Sequence, residues 1–394
     1  MRSAGGVQPG CPPPGAVRSL VPSGQDQWLY WSSGAGVRLP GMRQAGPRGS
    51  LRSGETAGLS HRMIEQLLQA AAAAPSMHNT QPWRFRVGPA GDVIELRADP
   101  ARQLPYGDPG GRAVHIACGA ALLNLRVAAG VAAGRQTVVR LLPDPGTPLL
   151  LATVRFGGPH KAGETERKLY AAIERRHTNR QPFSDQPVPP GVLASMTEAA
   201  TLEGAILHVL DREEAVRVLH LAADAERAQL ADPAYRAELA RWAGGQRDRD
   251  GIPDTALGPR ALGRATPVRH FTPGRPYPAG YARFEAHPQV AVLSVRSGGT
   301  VAWLRAGQAL ERVLLTATAC GIATCPLTQP LETADAWLVR DPRCGTEYPQ
   351  MILRLGYADP VPPAPRRPVS DVLDQPDPGD DLPPGNQNPQ PHLP

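Results

Sequence analysis

Two stretches of this chain are apolar on nearly every side at helical spacing: GAALLNLRVAAGVAAG, Gly119 to Gly134, and GQALERVLLTATACG, Gly307 to Gly321. A helix without a polar face has to be buried on most sides, so each stretch needs neighbours around it. Each opens with Gly, sets Ala and Leu along one face, and closes at a Gly suited to a left-handed C-cap. This shared pattern predicts a tandem repeat with one such helix at the heart of each half. Short apolar runs near Leu149 (LLLATVRF), Gln289 (QVAVLSV) and Gln350 (QMILRLGY) read as interior strands. Strands alternating with helices give an α+β body, a mixed sheet flanked by helices.

The two ends differ from this body. Residues 1–58 are rich in Gly, Pro, Ser and Arg, and residues 371–394 in Pro and Asp. Neither can bury enough apolar surface to offset the entropy of ordering it, so both are expected to be disordered tails. The patch QWLYW, Gln27 to Trp31, is the one part of them able to dock. The ordered body then divides into a first half, 59–165, and a second half, 166–370, with an insertion at about 213–273.

The net charge of +6 does not make a nucleic-acid footprint. The tails carry opposite charge and nearly cancel, and the arginines of the body are scattered among acids with no aromatic-interleaved stripe. Without a run of about 18 apolar residues, no membrane span is expected. Five cysteines at irregular spacings, with Cys320 and Cys325 too oddly spaced for a metal set, suggest small reduced thiols in a cytoplasmic protein.

The densest chemistry lies between Ala70 and Val87, AAAAAPSMHNTQPWRFRV. A helix with Met63, Ile64, Leu67, Leu68 and Ala71 on one face runs into Pro75-Ser76. His78, Asn79, Thr80 and Gln81 follow at once, and then a strand from Trp83 to Val87. A hydroxyl, an imidazole and two amides on the exit of a rigid helix suit recognition of a large, flat, polar ligand. Trp83 reads as core. His78 reads equally as a ligand contact or as a satisfied structural histidine.

This loop resembles the flavin-binding loop of the nitroreductase family, in its Acg-like branch from actinobacteria. Four more segments resemble the same branch in the same order: GRAVHIACGAALLNLRVAA from Gly111, RRHTNRQPFSDQPVPPGVL from Arg175, AGQALERVLLTATACGIATCPLTQPLE from Ala306, and YPQMILRLGYADPVPPAPRRPV from Tyr348. The ordinary member of the family is a homodimer with its flavin at the interface. Here the first half keeps PSMHNTQPW, whereas only the second keeps the arginine-hydroxyl motif RRHTNR before its helix Pro190 to Ala200. Complementary loss of this kind implies an internally duplicated pseudo-dimer, monomeric or weakly dimeric as a whole, with one flavin mononucleotide (FMN) per chain.

The resemblance assigns Arg176, Thr178, Arg180, Arg366 and Arg367 to the FMN phosphate. It gives Ser76, His78, Asn79 and Gln81 to the ribityl chain and ring edge, with Asn79 the strongest single choice. Cys325 and Leu327, in the loop Ile322 to Glu332, would line the ring near its reactive nitrogen. No catalytic side chain is implied, because the flavin carries the chemistry: NADPH or NADH reduces it, and a nitro compound, quinone or similar small electron acceptor reoxidises it. The insertion resembles a lid, which raises a rival reading, an FMN-sequestering protein with a closed site. Val216, Leu219, Leu230, Leu239 and Trp242 mark apolar helical faces that should stay docked. The Gly/Pro-rich part from Gly251 to Pro273 lacks an apolar period and should pack marginally.

Overall fold

The computed structural model describes residues 29–30, 58–262, 268–274, 278–333 and 347–374. Strand β1 (Leu29–Tyr30) is followed by the first half: α1 (His61–Ala72), β2 (Trp83–Val87), β3 (Val93–Ala98), α2 (Arg112–Val131), β4 (Arg135–Leu141) and β5 (Leu150–Pro159). Helix α3 (Glu164–Ile173) leads to α4 (Pro190–Leu202) and β6 (Ile206–Val209). The insertion holds α5 (Arg212–Ala231), α6 (Pro233–Trp242) and two short strands, β7 (Arg260–Ala261) and β8 (Tyr281–Ala282). After it come β9 (Gln289–Val295), α7 (Thr300–Ala319), β10 (Ala323–Leu327), β11 (Tyr348–Gly356) and α8 (Val369–Val372).

The halves repeat one plan. The first sheet has the order β1-β4-β5-β3-β2 and the second β10-β11-β9-β6, so without β1 the two orders coincide. The expected mixed sheet is thus two separate sheets, one per half, each antiparallel throughout. In the first half the short connections β2–β3 and β4–β5 make antiparallel hairpins, and the second sheet keeps the same pairing across longer connections.

Helices α2 and α7 cross between the sheets. Equivalent residues lie 188 apart, from 112 to 300 at the starts and from 131 to 319 at the ends. Gly119 and Gly307, expected as helix starts, are interior and mark the crossing. A Cβ on Gly119 would lie 2.2 Å from the carbonyl oxygen of Leu304, and one on Gly307 would lie 2.0 Å from that of Ile116. Leu304 stands to Gly307 as Ile116 stands to Gly119. His115 and Trp303, again equivalent, meet with ring centroids 5.6 Å apart. Residues touching their own counterparts define a two-fold axis, as in an isologous dimer. Helix α2 is long and apolar enough to cross a bilayer, but 78% of its most apolar window is buried inside the protein.

The insertion leaves the second sheet between β6 and β9, where the first half has only the turn 88–92. Val218 and Leu219 of α5 pack on Val290, Val292 and Ile352. That second cover explains why QVAVLSV is buried almost throughout, whereas VIELRA of β3 alternates. The Gly/Pro-rich part packs better than its sequence predicts. Ile252, Leu257 and Phe271 are buried with Tyr235 and Leu239 in a core of their own. Of the helical positions expected to dock, Leu219 and Leu239 are buried while Val216 is exposed. Among the cysteines, Cys325 is buried but Cys320 is exposed at the end of α7.

The ordered chain continues past 370. Val372 is fully buried, Leu373 bridges to Phe85, and Asp374 pairs with Arg84, so the end of the second half is strapped to the first. The backbone of Leu29 and Tyr30 pairs with Val139 and Val138. The rest of the two expected tails lies outside the described residues.

Candidate functional site

Helix α1, capped by Ser60, ends at Ala72, and the chain turns through Pro75 and Ser76 into a single 3-10 turn, Met77–Asn79. His78, Asn79 and Gln81 all take positive φ, at 51°, 56° and 52°. Left-handed backbone costs roughly 1–2 kcal/mol per non-glycine residue, so the surroundings have to enforce it. They do so through hydrogen bonds. Ser76 Oγ accepts from Gln81 N at 2.9 Å. Asn79 Nδ2 donates to the carbonyls of Gly251 and Pro365, both at 2.9 Å, and its Oδ1 accepts from Arg366 at 3.1 Å. Gln81, fully buried, donates to the carbonyl of Arg249 at 2.8 Å and accepts from Arg367 N at 2.9 Å. The loop is therefore sewn to the insertion on one side and to the closing segment on the other.

Two cavities adjoin behind this loop and share Pro75, Ser76, Thr178 and Arg180. The larger spans about 830 Å³, part of it open to solvent. Ser76 and His78 of the loop, Arg112 and Ile116 of α2, Thr178, Arg180, Cys325 and Leu327 of the second half, and Arg269 and Phe271 of the insertion line it. The smaller, about 470 Å³, is lined by Asn79, Arg176, His177, Arg180 and Arg366 together with the shared residues. Residues of both halves thus meet in one cleft. Gln81 and Arg367 line neither cavity. Arg367 instead lies 3.6 Å from Asp99 and donates to the carbonyl of Asp371.

The small cavity is electropositive. Arg176 and Arg366 both donate to the carbonyl of Ala73 at 3.0 Å. Burial and then the neighbouring Arg176 bring the pKa of Arg366 down to about 9. The one carboxylate close by, Glu311, is 3.5 Å from Arg176, and burial raises its own pKa. The Nε of Arg366 is buried without a hydrogen-bond partner among the described residues, whereas the Nε of Arg176 is the atom that faces Glu311 at 3.5 Å. Burial, Arg176 and Arg366 hold His177 at a pKa of about 4, so it is neutral at pH 7. In the large cavity, His78 is likewise kept neutral, by burial first and then by Arg269 and Arg180. Its ring meets Phe271 edge-on at 6.0 Å.

The insertion supplies residues that the sequence pattern did not single out. Arg269 is buried, bonded to Glu332 at 2.7 Å, to Thr328 at 3.0 Å and to the hydroxyl of Tyr235. It sits in a stretch without period or motif, and its partners are distant in sequence, so no local signal marks it. Arg112 opened a quoted segment, yet nothing in that segment separated it from a surface arginine. Glu238 of α6 accepts from the backbone N–H of Tyr106 at 3.0 Å and of Gly107 at 2.7 Å, and Arg180 donates to the carbonyl of Ala256 at 2.9 Å. The insertion is clamped to both halves beside the cleft. No cluster of metal-binding side chains occurs among the described residues.

The chain matches the model of the Nitroreductase family over residues 48–129 and 173–357. It is 38% identical over 326 residues to "Putative NAD(P)H nitroreductase Rv3131" of Mycobacterium tuberculosis, covering 80% of this chain and 92% of that protein. It is 34% identical over 322 residues to "Putative NAD(P)H nitroreductase acg" of the same organism, covering 79% and 95%. Among solved structures, a nitroreductase with bound FMN from Desulfitobacterium hafniense is similar at 15% identity and a TM-score of 0.35, over 53% of this chain and 98% of that one.

Proposed function

The chain belongs to the nitroreductase family, and we propose that it is an FMN-dependent oxidoreductase with a single flavin site in the cleft between its halves. The observation carrying this reading is the polarity of the cleft. One end gathers Arg176, Arg180 and Arg366, and the other sets an apolar wall of Ile116, Phe271, Leu310, Leu327 and Met351 beside Arg112 and Arg269. FMN has the same two ends, a phosphate with nearly two negative charges and a flat ring. The buried Nε of Arg366, without a hydrogen-bond partner among the described residues, fits a phosphate as a charged donor still short of an acceptor, and Arg176 beside it, 3.5 Å from Glu311, adds a second cation. Thr178 and Ser76, common to both cavities, would serve the chain between phosphate and ring. Cys325 and Leu327 would border the ring, while Asn79 would act by holding Arg366 in place.

When bound, FMN supplies two-electron transfer between a reduced nicotinamide and an acceptor such as a nitro compound or quinone. The chain's own part is to bind, to orient and to exclude water. His78 and His177, both kept neutral, add no cation at pH 7 to the arginines that set the field.

A second reading, FMN sequestration with little turnover, is favoured by the clamped insertion, whose Arg269 and Phe271 form part of the cavity wall. The visible spectrum of the purified protein with NADPH or NADH separates the two. A yellow protein that bleaches supports the enzyme, and a yellow protein that stays yellow supports sequestration. A protein that remains colourless after incubation with FMN overturns both, and uptake of two flavins per chain overturns the single composite site.

A further inference from the structure

We propose that Arg112 is the anchor for a negatively charged group on the electron acceptor, so that the large cavity selects aromatic acceptors bearing a carboxylate. This inference rests on the flavin reading above and names the substrate class of the same site. It starts from an imbalance of charge. Arg112, Arg180 and Arg269 all line the large cavity, and no carboxylate lines it among the described residues. Arg269 is neutralised by Glu332 at 2.7 Å. Arg180 faces both cavities and stands at the entrance to the phosphate end. Arg112 lines the large cavity only, on the first turn of α2.

Arg112 is a part-buried cation, and burial lowers its pKa. Its one hydrogen bond among the described residues runs to the carbonyl of Gln350 on β11, at 2.7 Å. That bond uses one of the five N–H groups of a guanidinium and fixes the side chain across the junction of the halves. Asp108 and Glu332 act on it only through space. The Asp108 carboxylate accepts from the backbone N–H of Val114 at 3.0 Å, and Glu332 is bound to Arg269. A part-buried, oriented cation without an ion-pair partner among the described residues is a poor structural device but a good receptor for a carboxylate. The walls around it, Ile116, Phe271, Leu310, Leu327 and Met351, suit an aromatic body.

The test compares two redox-inert probes of one shape, benzoate and neutral benzamide, titrated calorimetrically into FMN-loaded protein at low salt. Benzoate is expected to bind at least about tenfold more tightly, the effect of one charge-assisted hydrogen bond. The preference should fall to within about twofold in Arg112→Gln and persist in Arg112→Lys. Equal binding of the two probes by the unaltered protein overturns the proposal, as does a preference that survives in Arg112→Gln. Should Arg112→Gln not fold, salt decides: a preference that shrinks as salt rises supports the anchor, and one indifferent to salt overturns it. A protein that takes up no FMN yet still prefers benzoate overturns the flavin reading and leaves the anion site standing. A yellow protein without the preference does the reverse.

Discussion

Ala73 stands at the C-cap of α1, and Glu203 stands at the C-cap of α4, the equivalent place in the other half. Around Ala73, the backbone carbonyl accepts from Arg176 and Arg366, and α2 presents a fully buried Asn124. Around Glu203, α7 presents Arg312, which lies 188 residues after Asn124 (124 to 312). Arg312 and Arg126 bind the Glu203 carboxylate at 2.7 Å and 2.8 Å, and Gln308 accepts from Arg126 at 2.6 Å. Burial works against this charge, but the two arginines outweigh it and the carboxyl pKa is lowered. Both halves therefore collect cations at the same spot. The second binds both with one carboxylate of its own at hydrogen-bonding distance, whereas at the first Glu311 stands 3.5 Å from Arg176 and both arginines still line a cavity. A duplicated fold can keep one pocket and close its twin by building the anion in.

The largest effect should come from Glu203→Ala, which strands two buried guanidinium groups. Breaking a buried ion pair from one side costs roughly 3–5 kcal/mol. Urea denaturation should show a loss of that size, partly recovered when inorganic phosphate is added. Unchanged stability would mean that the carboxylate is not the counterion the comparison requires. In the first half, Arg366→Ala should weaken FMN uptake by at least about tenfold, since one charge-assisted hydrogen bond goes. It should scarcely alter binding of riboflavin, which has no phosphate. Arg367→Ala, aimed at Asp99, should leave uptake nearly unchanged in the same fluorescence titration. A larger loss for Arg367→Ala than for Arg366→Ala would misplace the phosphate end.

The crossing of α2 and α7 sharpens the comparison from the other direction, because there the halves are alike. Gly119→Ala and Gly307→Ala each drive a methyl group into a carbonyl of the partner helix, for roughly 1–3 kcal/mol of overpacking. The two losses in thermal stability should be similar, and a large difference would argue against the two-fold axis. The smallest effect concerns pH. His177 has a folded pKa of about 4, below the unfolded value, so the unfolded chain binds a proton that the folded chain refuses. Its share of stability is therefore complete above about pH 6.5 and is lost as the pH falls towards 4. His177 is only half-buried, so solvent screening leaves about 1 kcal/mol or less. His177→Gln should flatten the acid limb of a stability profile by that much, and an identical limb would remove His177 from the cation cluster.

Much of this was legible before any coordinates. The apolar helices were visible because burial on all sides removes the polar stripe that an amphipathic helix shows. Their glycines were visible too, but their role was not. A small residue at a close crossing and a small residue at a helix end look alike until the partner helix is in place. Among the site residues, Arg176, Thr178, Arg180 and Arg366 came from the resemblance to the family's motifs, and the fold brings all four to the small cavity. Gln81 and Arg367 looked equivalent in sequence, yet their bonds go to each other and to Asp99 and Asp371. The insertion misled for a physical reason. The core of Tyr235, Leu239, Ile252, Leu257 and Phe271 is assembled from positions far apart, so no window of the sequence carries its period. The left-handed backbone of His78, Asn79 and Gln81 left no trace in composition, since the surrounding hydrogen bonds enforce it.

Because α2 and α7 belong to one chain, their crossing forms at an effective concentration set by the intervening polypeptide, not by the amount of protein in solution. A two-chain dimer built on the same crossing would lose its cleft on dilution past its dissociation constant, whereas this cleft survives any dilution. Fusion also ends the rule that every substitution in a homodimer appears twice. A change in one half is made once per assembly, and the insertion beside β6 and the carboxylate at Glu203 are changes that no symmetric dimer could have made on one side alone.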